Sequence, residues 1–444
     1  MKITIINGSP KGDYSVTLHS CLYIKKHFPE HSYEVLNVGR DIKKFEKDFS
    51  SARESLESAD LLIFSYPVYT FIAPSQLHRF IRLMKESDVS LNGKFATQIT
   101  TSKHFYDITA HRYVEDNAYD MGLKVIKGLS ADMDDLTTKK GREDVKAFFK
   151  YVTYCMGNDL YETRKTKLTA PAHKTVTTEA DEVAKKNGTV SLVADMAADD
   201  GQLRAMTERF IKRCPYNVEL INIHDFPFKG GCISCFNCST DGTCIYKDGF
   251  QELLRDKIQK GSAIVIAFSI KDHSMGPVFK TYDDRQFCNG HRTVTMGMPF
   301  GYIVSGNLSE EENLRMIIDG RAEVGGNFLC GVATDELDPD AEIDALANKL
   351  SYAIENKYVQ PSNFLGVGGM KIFRDLIWLM QGMMKADHRF YKSHGQYDFP
   401  QKKRGTMLFM YLAGAVMGNK KLKAKMGNKL NEGMIMPYKK ALED

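Results

Sequence analysis

The amino-acid sequence predicts an α/β protein with two doubly wound, five-stranded parallel-sheet domains and a helical C-terminal extension. Short apolar runs alternate with helix-like segments, and this alternation begins again after residue 188. At 444 residues, the chain is also too long for one ordinary hydrophobic core. We therefore divide it into a first domain (1–170), a linker (171–188), a second domain (189–360) and an extension (361–444).

The predicted strands of the first domain are five apolar runs separated by helical patterns: 2–8, 33–38, 61–67, 95–101 and 123–129. In the second domain, residues 189–223 repeat the opening strand, helix and second strand. Apolar runs at 262–270, 295–306 and 328–334 complete that sheet. We interpret the repeat as an internal duplication, with two unrelated α/β domains as the alternative.

Composition and charge restrict the class of protein. Hydrophobic residues make up 43% of the chain and charged residues 26%, which is typical of a globular protein. A net charge of +4 is too small to predict nucleic-acid binding. The N terminus lacks a signal-peptide pattern, and the apolar run at 406–418 is shorter than the roughly 20 residues that cross a bilayer. We therefore expect a cytoplasmic protein whose cysteines are free thiols or metal ligands.

A turn rich in glycine and hydroxyl groups, NGSPKGDYSVT (7–17), joins the first strand to a helix. Its backbone N–H groups, its hydroxyls and the positive end of the helix would face one point, which is typical of a phosphate site. Lys11 could add charge. An ordinary capped helix start explains the turn equally well.

The end of the third strand favours the phosphate interpretation. The segment SYPVYTFIAP (65–74) places Pro67 and Tyr69 at the carboxyl edge of the sheet, where ligands bind in open α/β proteins. A proline followed by an aromatic residue there suits a planar ring. TTSKHFYD (100–107) adds a third polar loop at the same edge.

Together these segments resemble the NAD(P)H-dependent FMN reductase family, which has the flavodoxin-like fold. The resemblance covers residues 1 to about 165. It implies a flavin-dependent oxidoreductase with FMN as cofactor and NAD(P)H as co-substrate. The implied cofactor-binding residues are Ser9, Lys11, Ser15, Val16, Thr17, Pro67, Val68, Tyr69, Thr70, Thr101 and Ser102. Lys11 and Val16 replace the family's usual arginine and asparagine, and both leave the phosphate loop plausible.

Four of the nine cysteines form a C-x2-C-x2-C-x5-C motif in the second domain: Cys232, Cys235, Cys238 and Cys244. Closely spaced thiolates can converge on one centre, and disulfides are disfavoured in a reducing compartment. The spacing favours a [4Fe–4S] cluster over zinc, which prefers two separated pairs. Cysteines without a metal are the remaining alternative. The segment resembles the iron–sulfur flavoproteins over roughly 189–350, where this motif ligates a cluster next to FMN.

The two domains carry complementary parts of such a site. Where the first has its phosphate loop, the second has ADMAADDGQLR, with Asp195, Asp199 and Asp200 in place of phosphate donors. The first has no cysteines between its second and third strands. In iron–sulfur flavoproteins, the resemblance implies, the cluster of one subunit approaches the flavin of a neighbour. A tandem duplication could fuse that pair into one chain.

The sequence thus predicts an oxidoreductase that passes electrons between a donor (ferredoxin or NAD(P)H), a [4Fe–4S] cluster and FMN to reduce a small-molecule acceptor. The alternatives are an NAD(P)H-dependent FMN or quinone reductase without a cluster, and a non-catalytic flavodoxin-like electron carrier. No catalytic acid or base is identifiable. The methionine- and lysine-rich extension is expected to pack within the chain or in a homo-oligomer, or to lie on a membrane surface. We expect the polar residues from Asp387 to Tyr397 to be surface charge rather than a substrate pocket.

Overall fold

The computed structural model describes residues 1–69, 71–164, 169, 173–399 and 403–418. One compact unit is Met1–Arg389, and a second begins at Phe390. No helix of the described residues is both long and apolar enough to span a bilayer.

The first sheet is parallel, in the order β2-β1-β3-β4-β5, with β6 also paired to β4. Its strands are β1 (Lys2–Asn7), β2 (Ser32–Leu36), β3 (Leu61–Pro67), β4 (Phe95–Ser102), β5 (Lys124–Val125) and β6 (Leu129–Asp132). Its helices are α1 (Val16–His27), α2 (Val38–Lys47), α3 (Ser50–Glu57), α4 (Ser75–Glu86), α5 (Ile108–Asp120) and α6 (Lys139–Gly157). Strands β1 and β3 are buried on both faces, so the sheet needs helices on both sides.

The predicted fifth strand (123–129) is two short strands instead of one. β5 pairs with the start of β4, and β6 pairs with its end. Between them the chain passes close to Gln98 at Gly128, where a Cβ atom would lie 2.7 Å from the Gln98 carbonyl oxygen.

The second sheet repeats the first. It is parallel in the order β11-β10-β9-β7-β8, so its first strand again lies between its second and third strands. Its strands are β7 (Lys186–Asp195), β8 (Tyr216–Asn222), β9 (Ala263–Ser269), β10 (Pro299–Ser305) and β11 (Phe328–Thr334). Its helices are α7 (Gly201–Arg213), α8 (Asn237–Thr240), α9 (Phe250–Glu252), α10 (Gly276–Arg285), α11 (Glu312–Gly325) and α12 (Pro339–Asn356). This matching order supports the predicted duplication.

Equivalent helices of the two halves pack against each other. α4 and α10 each follow the third strand of their sheet and are in contact, as are α5 and α11, which follow the fourth strand. One buried apolar cluster includes Phe64 from the first sheet and Phe268 from the second. In a twofold-symmetric dimer, equivalent elements of the two subunits contact each other in the same way. The chain therefore resembles such a dimer joined end to end.

Among the described residues, three further helices follow α12. They are α13 (Phe364–Leu379), α14 (Lys385–Ser393) and α15 (Arg404–Gly418). The helical extension is thus observed in the described residues, and the predicted helix beyond residue 418 lies outside them. α13 packs on α11, where Gly369 allows close approach because a Cβ atom there would lie 2.7 Å from a Val324 methyl.

Candidate functional site

The turn between β1 and α1 gathers buried hydroxyls at a helix N terminus. Ser15 caps α1 by accepting a 3.3 Å hydrogen bond from the Leu18 N–H, and Ser9 and Thr17 are also buried. Gly12 has a φ of +55°, a left-handed conformation that favours glycine. This arrangement provides hydrogen-bond donors and a positive dipole end for an anion.

The segment after β3 forms an adjoining wall. Tyr69 is 7% exposed, and its backbone N–H donates to the Ile72 carbonyl at 2.7 Å, which fixes a tight turn. The Val68 N–H donates to the Thr101 carbonyl at 3.1 Å, which joins this segment to the end of β4. The hydroxyl oxygens of Thr17 and Thr101 lie 2.6 Å apart and join the same strand end to the phosphate loop.

These three loops line one cavity of about 500 Å³. Ten of the eleven predicted cofactor residues are in its wall: Ser9, Lys11, Ser15, Val16, Thr17, Pro67, Val68, Tyr69, Thr101 and Ser102. The eleventh, Thr70, lies outside the described residues. The structure thus brings the predicted residues together, and their role in binding FMN stays a prediction.

The four motif cysteines line the same cavity. They lie in the loop after β8, and Cys238 is in the first turn of α8. Between them, Ser234 (φ 54°) and Phe236 (φ 63°) are left-handed, so the chain turns sharply twice within seven residues. The described cysteines are free thiols. The second domain therefore contributes its four motif thiols to the cavity that the loops of the first domain line.

Direct contacts hold the cysteine loop on the first domain. The Gln76 side chain donates to the Cys232 carbonyl at 3.3 Å, and the Lys11 ammonium lies 5.3 Å from the centre of the Phe236 ring. The Tyr69 side chain also adjoins this loop, because Tyr69 and Ser234 line the same cavity. Burial raises the pKa of Tyr69 well above its usual value, so its hydroxyl keeps its proton at neutral pH.

Cationic side chains surround the cysteine loop. The Arg292 guanidinium donates to the Cys238 carbonyl at 3.0 Å, and the Lys247 ammonium donates to the Cys244 carbonyl at 3.1 Å. Arg285 donates to the Gly230 carbonyl at 2.9 Å. These cations would partly offset the negative charge of a thiolate-bound centre.

The thiols are not assembled into a metal site as they stand. Among the described residues, no three histidine, cysteine, aspartate or glutamate side chains are placed to hold a metal ion. Burial raises the pKa of the Cys232 and Cys238 thiols, because a buried thiolate loses its solvation. The donor type and the surrounding charge suit an iron–sulfur cluster, whereas the thiol positions share a cavity without converging.

Residues that sequence reasoning missed form the roof of the cavity. α13 contributes apolar side chains, and Phe373 stacks on Phe105 with ring centres 5.0 Å apart. Cys288 and His291, which follow α10, also line the wall. No sequence pattern identifies this roof, because an apolar helical pattern does not show which surface the helix covers.

The equivalent edge of the second sheet differs as predicted. The Asp200 carboxylate caps α7 by accepting from the Leu203 N–H, and it also accepts a 2.6 Å hydrogen bond from the Ser269 hydroxyl. Asp195 pairs with His224 at 2.7 Å. Carboxylates therefore stand where the first domain has hydroxyls, and they would repel a phosphate.

The expectation that Asp387 is surface charge was wrong. Its side chain is fully buried and pairs with the Arg292 guanidinium at 3.0 Å and with the His291 ring at 3.1 Å. A buried carboxylate needs such partners because desolvation of an isolated charge is costly. Asp387 therefore holds the Arg292 guanidinium in place, and that guanidinium also donates to the Cys238 carbonyl of the cysteine loop.

The N-terminal 129 residues match a known family. Residues 1–129 match the model of the family described as NADPH-dependent FMN reductase. Residues 1–129 form a domain of the NADPH-dependent FMN reductase type. The predicted phosphate loop and the segment after β3, which line the cavity, both lie within the matched residues.

Individual relatives resemble parts of the chain. An iron–sulfur flavoprotein from Archaeoglobus fulgidus is 29% identical over 177 residues, which cover 37% of this chain and 78% of that protein. An FMN-dependent NADH-azoreductase from Bacillus anthracis is 16% identical, with a TM-score of 0.29, and covers 36% of this chain and 99% of its own. An NAD(P)H:quinone oxidoreductase from Methanothermobacter marburgensis is 13% identical, with a TM-score of 0.27, and covers 37% of this chain and 96% of its own.

Proposed function

We propose that the protein is an iron–sulfur flavoprotein oxidoreductase in which one chain holds both redox centres. FMN would bind at the first sheet, and the four cysteines of the second domain would hold a [4Fe–4S] cluster facing it. One observation carries the proposal: the phosphate loop and all four motif cysteines line a single cavity. When bound, FMN can exchange electrons singly or in pairs, and a cluster exchanges them one at a time.

The first domain's residues would bind and orient the flavin. The buried hydroxyls of Ser9, Ser15 and Thr17 would donate hydrogen bonds to its phosphate, and Lys11 would add positive charge. Pro67 and Tyr69 would form a flat wall for the ring, with the wall fixed by the backbone hydrogen bonds of the turn after β3.

The second domain's residues would hold the cluster close to that wall. Cys232 and Cys235 lie on either side of Ser234, which lines the same cavity as Tyr69. Arg292 and Lys247 would stabilise a negatively charged centre through their contacts with the loop carbonyls. The A. fulgidus relative supports this part of the proposal, since its name records an iron–sulfur flavoprotein.

A one-electron carrier of the ferredoxin type or NAD(P)H would supply electrons, and a small molecule would accept them. The apolar roof contributed by α13 and Phe105 would exclude water above the cavity.

Anaerobic purification followed by iron, sulfide and flavin quantitation tests the proposal. We expect about four iron atoms and one FMN per chain, with a broad cluster absorption band. The variant Cys235→Ser/Cys238→Ser should lose the iron and keep the FMN. The control Cys155→Ser replaces a cysteine on α6, away from the cavity, and should keep both.

Flavin binding is tested separately by charge reversal. Lys11→Glu should weaken FMN binding by at least about tenfold, because it places a carboxylate beside the phosphate. Lys25→Glu reverses an exposed charge near the other end of α1 and should leave the affinity unchanged. Equal affinities for the two variants would argue against a phosphate at this loop.

A second candidate is an NAD(P)H-dependent FMN or quinone reductase without a cluster. The absence of three converging metal ligands among the described residues favours it. Purified protein with one FMN, no iron and NAD(P)H oxidation that is unchanged in Cys235→Ser/Cys238→Ser would support this candidate over the first.

A further inference from the structure

The C-terminal helix α15 exposes an unusually apolar surface. Six consecutive large side chains, Met407 to Leu412, are each between 51% and 76% exposed. They have the sequence MLFMYL and therefore cover all sides of the helix, since six residues make more than one and a half turns. A helix that is apolar all round is normally covered by protein or lipid.

Basic residues flank this helix on both sides in the sequence. Between residues 401 and 430 there are eight basic residues and no acidic one: Lys402, Lys403, Arg404, Lys420, Lys421, Lys423, Lys425 and Lys429. Apolar side chains bordered by clustered lysine and arginine are typical of segments that bind anionic lipid.

The length of α15 and the charge of the residues that flank it indicate what kind of surface it binds. Fifteen residues of α-helix extend about 22 Å, too short for a bilayer core of about 30 Å. A second copy of the chain would bring two such basic segments together, and their like charges would repel. An anionic bilayer surface offers both an apolar layer and the opposite charge.

We propose that residues 401–430 dock the protein onto an anionic membrane surface, with α15 lying in the interface and the flanking lysines contacting lipid headgroups. The residues that line the cavity lie between Ser9 and Met380, so we expect substitutions in this segment to leave cofactor binding unchanged.

Co-sedimentation of the full-length protein with vesicles tests this proposal. The vesicles contain phosphatidylcholine alone or with about 30% phosphatidylserine. We expect at least about tenfold stronger partition onto the anionic vesicles, and weaker partition when salt is raised from about 0.1 to 0.5 M. The variant Leu408→Asp/Phe409→Asp should lower partition at least about tenfold. Reversing the charge of Lys420, Lys421, Lys423 and Lys425 should remove the preference for phosphatidylserine.

The matched control is Leu337→Asp, because Leu337 is 82% exposed but lies outside this segment. It should leave vesicle binding unchanged, and all variants should keep the flavin content of the parent. Three results would overturn the proposal: no binding, equal binding to neutral and anionic vesicles, or binding unchanged in Leu408→Asp/Phe409→Asp. A dimer in solution that this variant dissociates would instead assign α15 to contact between copies. An acidic protein that competes with the vesicles and binds more tightly would assign the segment to that partner.

Discussion

The ion pair between Arg285 and Asp248 anchors the cysteine loop and gives a quantitative prediction. The two guanidinium nitrogens each lie 2.8 Å from a carboxylate oxygen, and both side chains are almost fully buried. The guanidinium also lies 4.3 Å from the centre of the Tyr246 ring and contacts the Gly230 carbonyl. Replacing Arg285 with methionine keeps most of the apolar contact and removes the charge.

Arg285→Met should lower the free energy of unfolding by about 3–5 kcal/mol, because it leaves the Asp248 carboxylate buried without its partner. Arg285→Met/Asp248→Asn should recover part of that loss, since no buried charge then remains. Lys140→Met removes an exposed pair with Asp144 on α6 and should cost at most about 1 kcal/mol. Urea unfolding followed by circular dichroism measures all three variants.

The pH dependence provides an independent check. The Arg285 guanidinium holds the pKa of Asp248 at about 2, below its usual 3.8, although burial opposes this shift. The pair's stabilisation is therefore fully present above about pH 4 and is lost as the pH falls towards 2. A loss below about 1 kcal/mol in Arg285→Met, or a double variant no more stable than the single one, would refute this reasoning.

Two other predictions concern the cavity and the contact between the halves. Thr17→Val removes the hydroxyl that lies 2.6 Å from that of Thr101, and we expect FMN affinity, measured by flavin fluorescence, to fall about tenfold. The free energy of unfolding should also fall by about 1 kcal/mol, because the buried Thr101 hydroxyl loses this partner. His273 lies between Asp120 and Glu311, which raise its pKa to about 9 despite its burial. Because the folded pKa is raised, this stabilisation is full below about pH 6.5 and is lost as the pH rises through 9; His273→Gln should flatten the measured unfolding free energy over that range.

The central strands of the sheets could be predicted from the sequence because they are buried on both faces. Runs such as KITIIN and LLIFSYP are mainly apolar, and that pattern does not depend on distant parts of the chain. The fifth strand of the first sheet was predicted as one element because the close passage of Gly128 past Gln98 depends on tertiary contacts.

The candidate site was predictable in its parts but not in its assembly. The cysteine spacing and the phosphate loop are local patterns, so both could be recognised along the chain. Their shared cavity follows from α4 packing on α10, which no local pattern specifies. Asp387 appeared exposed because polar residues follow it, and only the positions of Arg292 and His291 explain its burial.

Because both walls of the cavity belong to one chain, its assembly does not depend on protein concentration, and its two halves need not be identical. In a homodimer, dilution below the dissociation constant would separate the two walls of such a site, whereas a covalent link keeps their effective concentration constant. A homodimer must also carry every substitution twice. Here the loop around Asp200 could acquire carboxylates while the equivalent loop kept the hydroxyls of Ser15 and Thr17, so each half was free to change without altering the other.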